Sequence, residues 1–131
     1  MLIGDDDVND RFFLEWGFKQ TCPNVQVDFA RNGEEVIQYL EDHSDAQPAF
    51  LILDSLMPRM DGFAVVDWLR SKKIFDRMPV VMISGKIHEA NTDRAMKLGV
   101  QAYIEKPDDF PQLLALVRQW QKSYLTDSAD N

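Results

Sequence analysis

Cysteine is almost missing: Cys22 is the only one, so the chain forms no internal disulfide. Its stability has to come from an ordinary core, and a lone thiol fits a reducing, cytoplasmic setting. Long hydrophobic runs are missing as well. None approaches the roughly 18 residues that a membrane span needs. Met1 to Gly4, followed at once by Asp5, is too short and too acidic for a signal peptide. Basic residues are in deficit, with 14 Lys and Arg against 22 Asp and Glu and a net charge of -8. That balance argues against nucleic-acid binding by this domain taken whole, because phosphate contacts need a basic surface. Only two histidines occur, His43 and His88. Both lie in polar surroundings, and neither is assigned a role. No repeat or internal linker interrupts the chain.

What is present is enough for one domain. The 131 residues are 45% hydrophobic, sufficient to bury a core. Strand-like apolar runs recur at Leu2-Ile3, Val25 to Ala30, Phe50 to Leu53, Pro79 to Ile83 and Ala102 to Ile104. Between them lie five segments with helical spacing. Phe12, Phe13, Trp16 and Phe18 mark the first. Val36, Ile37 and Leu40 mark the second, with Asn32 as its N-cap. Phe63, Val65, Val66 and Leu69 mark the third. Ala95, Met96 and Leu98 mark the fourth, stopped by Gly99. Leu113, Leu114, Leu116, Val117 and Trp120 mark the fifth. Near-continuous apolar strands alternating with helices predict an α/β domain over residues 1–125, its parallel sheet covered on both faces. Residues 126–131 read as a polar C-terminal tail.

Sites in such sheets form beyond the carboxyl ends of the strands. The segment "FLILDSLMPRMDGF" places Asp54 there, at the lip of the core, where a carboxylate is costly to desolvate without a partner. Strand one delivers Asp5, Asp6 and Asp7 to the same edge. Strand four delivers Ser84 and Gly85, and strand five delivers Glu105, Lys106 and Pro107. Asp5, Asp6 and Asp54 would repel one another if left uncompensated. Mg2+, which takes carboxylate, water and phosphate oxygens, resolves this, and Lys106 adds positive charge. Asp7 reads as a helix N-cap outside the site, and Asp61-Gly62 as a turn and helix start. Met57, Met60 and Met82 read as packing.

Four motifs, each following a predicted strand, carry a resemblance: "LIGDDD", "LDSLMPRMDG", "VVMISG" and "YIEKP". Together, from about Leu2 to Tyr124, they resemble the CheY-like receiver domains of two-component response regulators. The resemblance implies a flavodoxin-like, doubly wound five-stranded sheet of order 2-1-3-4-5 with five helices. It implies that Asp54 is the phosphoacceptor. Asp6, Asp54 and the backbone carbonyl of Leu56 would ligate Mg2+ directly, with Asp5 acting through a coordinated water. Lys106 and Ser84 would contact phosphoryl oxygens, and Gly85 would leave room for the donor. Pro107 fits the family's cis bond. Ser84 and Tyr103 would form the switch that remodels the face of helix four, strand five and helix five. The implied partners are a sensor histidine kinase or histidine phosphotransfer protein and a downstream protein effector, with neither nucleic acid nor membrane. A phosphorylation-linked dimer is left open.

The chain departs from the family at three positions. Gly4 stands where a β-branched residue is usual, which predicts a short, weakened first strand. Ser84 replaces the commoner Thr, and Leu56 is apolar where many relatives are polar. The implied domain is not an enzyme in its own right, although it assists its own phosphoryl transfer and hydrolysis. Two other classes compete. A phosphatase-type hydrolase would want a second Asp at position 56, which is Leu. A pseudo-receiver that only binds a partner would not need Asp5, Asp6, Asp54, Ser84 and Lys106 together. Few residues come after Trp120, so the sequence is read as either a single-domain regulator or the receiver fragment of a longer one. Trp120 and Tyr124 are read either as an exposed partner stripe on the last helix or as packing.

Overall fold

The computed structural model describes residues 1–125. The predicted tail, residues 126–131, lies outside them. Five strands, β1 (Leu2–Gly4), β2 (Asp28–Ala30), β3 (Leu51–Asp54), β4 (Val80–Ser84) and β5 (Ala102–Glu105), alternate with five helices. These are α1 (Val8–Thr21), α2 (Gly33–Asp42), α3 (Gly62–Ser71), α4 (Glu89–Lys97) and α5 (Phe110–Trp120), the last running into a π-helical turn over Gln121–Leu125. All strand pairs are parallel, in the order β2-β1-β3-β4-β5.

The period of two along each strand sorts side chains to the two faces. Leu51 and Leu53 pack with Val36, Leu40, Val65, Val66 and Leu69 under α2 and α3, and Val80 and Met82 join them. Ile52, Val81 and Ile83 point the other way, onto Leu14, Phe18, Leu113 and Val117 of α1 and α5. Both faces are therefore covered, and β3 and β4 are buried at every position. Helix starts are set by side chains that take up free N–H groups. Asp7 accepts from Asn9 and Asp10, Asn32 from Glu35, Asp61 from Ala64, and Asp109 from Gln112. Asp7, Asn32 and Asp61 thus do what their positions predict. Gly99, at φ +78, turns the chain at the end of α4.

Two expectations need correction. The second strand covers only Asp28–Ala30, because it pairs residue for residue with the three of β1. Val25 and Val27 instead pack against the core from the loop. The first strand is short, as expected, at three residues, but Gly4 is no weak point. A Cβ there would lie 2.7 Å from Val36 Cγ2 and 2.9 Å from Leu53 Cδ2, so these side chains already fill the space a β-branched residue would take. Of the two readings of Trp120 and Tyr124, the structure shows packing. Trp120 is buried beside Phe18, and the Tyr124 ring stacks on Phe50 at 4.7 Å.

The aromatics of α1 also divide between two faces. Phe18 is in the core, whereas Phe12 is 64% exposed and aligns with exposed Val8 and Trp16 at four-residue spacing.

Candidate functional site

The carboxyl ends of β1, β3, β4 and β5 open on one edge. Ladder bonds continue past the strands and fix the residues there: Asp5 N donates to Ala30 O at 3.0 Å, Ser55 N to Ile83 O at 2.9 Å and Lys106 N to Ser84 O at 2.8 Å. The loop after β3 is closed by Gly62 N donating to Ser55 O. Gly62 is required there, because a Cβ would lie 2.5 Å from the carbonyl oxygen of Asp54.

Asp5, Asp6 and Asp54 converge, each offering a carboxylate oxygen within 4.8 Å of the others. Asp5 and Asp54 are buried, and Asp6 is exposed. Asp54 Oδ1 accepts from the Leu56 N–H at 3.1 Å, and Asp54 Oδ2 accepts from Lys106 Nζ at 2.9 Å. Asp5 Oδ1 accepts from the Asp7 N–H at 3.0 Å. Asp5 Oδ2 lies 3.3 Å from Lys106 Nζ but receives no hydrogen bond.

Electrostatics reflect this crowding. Burial, above all, pushes the Asp5 carboxyl up to about 7. The nearby charges of Asp54 and Asp10 push the same way, while the Asp7 N–H and Lys106 oppose them. For Lys106, burial disfavours the ammonium. Hydrogen bonds to Asp10 and Asp54 and the fields of Asp5 and Asp54 outweigh that and hold it charged, above the ordinary lysine value.

Hard carboxylate oxygens, one of them buried without a donor, suit a hard cation such as Mg2+. The Leu56 N–H bond holds that backbone beside Asp54, while the Leu56 side chain is 72% exposed. Gly85 faces open space, where an added Cβ would meet nothing within 4 Å.

The two switch positions lie apart. Ser84 is buried, and its hydroxyl donates to the Lys86 carbonyl at 2.9 Å, so it serves its own loop. Tyr103 is 9% exposed, with its ring 6.0 Å from that of Phe63 and its buried hydroxyl without a partner. It lies on the α3–α4 side of the sheet and not at the carboxylate edge. The Lys106-Pro107 bond is trans, contrary to the expected cis bond. Lys106 is instead held by its ladder bond and its carboxylate partners.

One contact was missed in the sequence. Lys106 Nζ also donates to Asp10 Oδ2 at 2.5 Å, the shortest of its three carboxylate contacts. Asp10 lies four residues after Asp6, in the first turn of α1, where a helix-dipole role is the ordinary reading. No local spacing signals the contact, since Lys106 lies 96 residues further along the chain.

The sequence matches the response regulator receiver domain model over residues 1–118, and the chain belongs to that family of two-component signalling domains. It is 30% identical to the response regulator Rre1 of Synechocystis sp. over 118 residues, 90% of this chain and 49% of that protein. The chain thus spans about half the length of Rre1. It is 24% identical to the polar-differentiation response regulator DivK of Brucella anthropi, over 98% of this chain and 96% of that protein. Among solved structures it resembles the phosphorylated cyanobacterial phytochrome response regulator RcpA, with TM-score 0.85 and 26% identity over 95% of this chain and 92% of that one. It also resembles RPA3017, a response regulator in red light signaling of R. palustris, with TM-score 0.76 and 27% identity over 92% and 90% of the two chains. Among the described residues no helix is long and apolar enough to cross a membrane.

Proposed function

We propose that the chain receives a phosphoryl group on Asp54 from a histidine kinase or a histidine phosphotransfer protein, in the cytoplasm, and passes the signal to a protein effector. The observation that carries this reading is the setting of Asp54. It is a buried carboxylate at a strand end, with a lysine ammonium at 2.9 Å and two further carboxylates converging on it. The similar RcpA is phosphorylated in its solved structure, which supports the same reading.

In the transfer, an Asp54 oxygen bonds to phosphorus as the P–N bond to the donor histidine breaks, and the electron pair stays on the imidazole nitrogen. Asp6, Asp54 and the Leu56 carbonyl would hold Mg2+, with Asp5 acting through a water. The cation supplies charge stabilisation at the transferring phosphoryl oxygens. Lys106 offers its ammonium to a second oxygen. Ser84 exchanges its bond to the Lys86 carbonyl for a third, which pulls on the loop leading into α4. Tyr103 is already buried in this structure, so the change is read at the start of α4 more than at the tyrosine. The output face is formed by α4, β5 and α5.

Incubation with a small phosphodonor and Mg2+ should raise the intact mass by one phosphoryl group. Chelation of Mg2+ and Asp54→Asn should each abolish the change. Full labelling of Asp54→Asn would remove the assignment, and an unlabelled wild type that also fails to bind an acyl-phosphate mimic would favour the pseudo-receiver.

A further inference from the structure

We propose that Asp10 is a positioning residue for Lys106, holding its ammonium on the α1 side of the cleft in competition with the phosphoryl group on Asp54. The proposal rests on the reading of Asp54 as acceptor. Its basis is the division of one cation among three carboxylates. Lys106 Nζ lies 2.5 Å from Asp10, 2.9 Å from Asp54 and 3.3 Å from Asp5. Asp10 stands outside the metal-competent group, whose carboxylates are Asp5, Asp6 and Asp54. Its hydrogen-bonded link to the site is the lysine, beside the direct repulsion it exerts on Asp5. The Asp10 side chain is 35% exposed, against 7% for Asp54 and none for Asp5. Of the three, Asp10 alone is substantially hydrated, so it loses its partner at the lowest desolvation cost.

This division has two effects. First, Asp10 draws the ammonium away from Asp5 and Asp54, leaving these oxygens freer for a cation. Second, a phosphoryl group arriving on Asp54 meets a lysine whose charge is already shared. Stabilisation of developing phosphoryl charge depends on a preorganised positive group aimed at it. Asp10 therefore restrains transfer while favouring Mg2+. A group that only capped or charged the start of α1 would produce neither effect through Lys106.

The test is a cycle of wild type, Asp10→Asn, Lys106→Ala and the double variant, with Asp10→Glu as the conservative control. Each is read for Mg2+ affinity by calorimetry and for the rate of labelling by acetyl phosphate at saturating Mg2+. Asp10→Asn is expected to label about 2- to 5-fold faster than wild type and to bind Mg2+ about 2- to 5-fold more weakly, the range for a partly exposed ion pair. Asp10→Glu should lie near wild type in both. With Lys106→Ala in place, Asp10→Asn should no longer alter the labelling rate, and its effect on Mg2+ should shrink. Unchanged or slower labelling by Asp10→Asn, or the same fold-change in both lysine backgrounds, overturns the proposal. If wild type is not labelled at all, the acceptor reading fails by itself, and the Mg2+ cycle alone decides whether Asp10 positions Lys106.

Discussion

Leu56 sits two residues beyond Asp54, the proposed acceptor, with its N–H on the Asp54 carboxylate and its side chain 72% exposed. Hydrolysis of an aspartyl phosphate needs a water in line behind phosphorus. A polar side chain at this position can orient that water, and leucine cannot. Lys86 follows two residues after Ser84, with its backbone bonded to the Ser84 hydroxyl and its side chain exposed. The expected outcome is a slowly decaying phosphorylated form. Leu56→Asn should decay about tenfold faster, the equivalent of about 1.4 kcal/mol in the barrier. Phosphoryl loss from the two proteins under saturating Mg2+ is the measurement, and equal rates would show that Leu56 stands clear of the water's path.

At the scale of elements, α4 is held unequally at its two ends. Its N-cap, His88, makes no side-chain capping bond. Its C-terminal end is tied to α3 and to the loop before β4 by Arg70. That guanidinium donates to the carbonyls of Leu98 at 3.0 Å, Gly99 at 2.9 Å, Asp76 at 3.0 Å and Met78 at 3.1 Å. The fork of donors answers helix-end carbonyls that have no partner inside the helix. Arg70→Ala should cost about 2–3 kcal/mol in urea unfolding, since hydrogen bonds to a charged group are lost together. It should also speed amide exchange in the last turn of α4 while leaving β3 protected. An unchanged exchange pattern would mean that packing alone holds that end. The same asymmetry leaves the start of α4, next in the chain to the Ser84–Lys86 loop, as the less tethered end, where the proposed signal would enter.

For the whole molecule the governing quantity is charge. The net charge is -8, and three carboxylates are concentrated at one sheet edge. Asp5 carries the pH dependence, with a folded value of about 7 against an ordinary 3.8. A raised carboxyl means that the folded state holds the extra proton. Its contribution to stability is complete below the ordinary value and is lost as pH rises through about 7. Asp28, held low chiefly by the Tyr39 hydroxyl, and Glu35, held low chiefly by the Arg31 N–H, work oppositely. Their contributions are present above their ordinary values of 3.8 and 4.5 and disappear only in more acid solution. In metal-free buffer the melting temperature should therefore fall between about pH 5 and about pH 8. Mg2+ should reverse the loss by binding the folded carboxylates, adding about 2.7 kcal/mol at a hundredfold excess over its Kd. The added stability should be larger at the higher pH, where no Asp5 proton has to leave. Thermal melts with Mg2+ or chelator at both pH values check this, and a Mg2+ effect that shrinks with rising pH would contradict it.

Much of the fold was written locally. The two-residue period of β3, the four-residue spacing in α2 and α3, and the caps Asp7, Asn32 and Asp61 each need only near neighbours in the chain to be read. Asp5, Asp6, Asp54, Ser84 and Lys106 were legible as a group because parallel strands all deliver their C-terminal residues to one edge. What needed the tertiary structure was every question of which side chain fills which space. Gly4 looks weak in isolation, and only the packing of α2 on the sheet and the β1–β3 register put Val36 and Leu53 where a Cβ would go. Tyr103 and Trp120 could be placed inside or outside only once their neighbours Phe63 and Phe18 were in position. The ion pair between Asp10 and Lys106 spans 96 residues of sequence. No spacing rule reaches that far. It exists because α1 and the end of β5 meet across the sheet edge, where a partly buried ammonium lies against Asp5, Asp10 and Asp54.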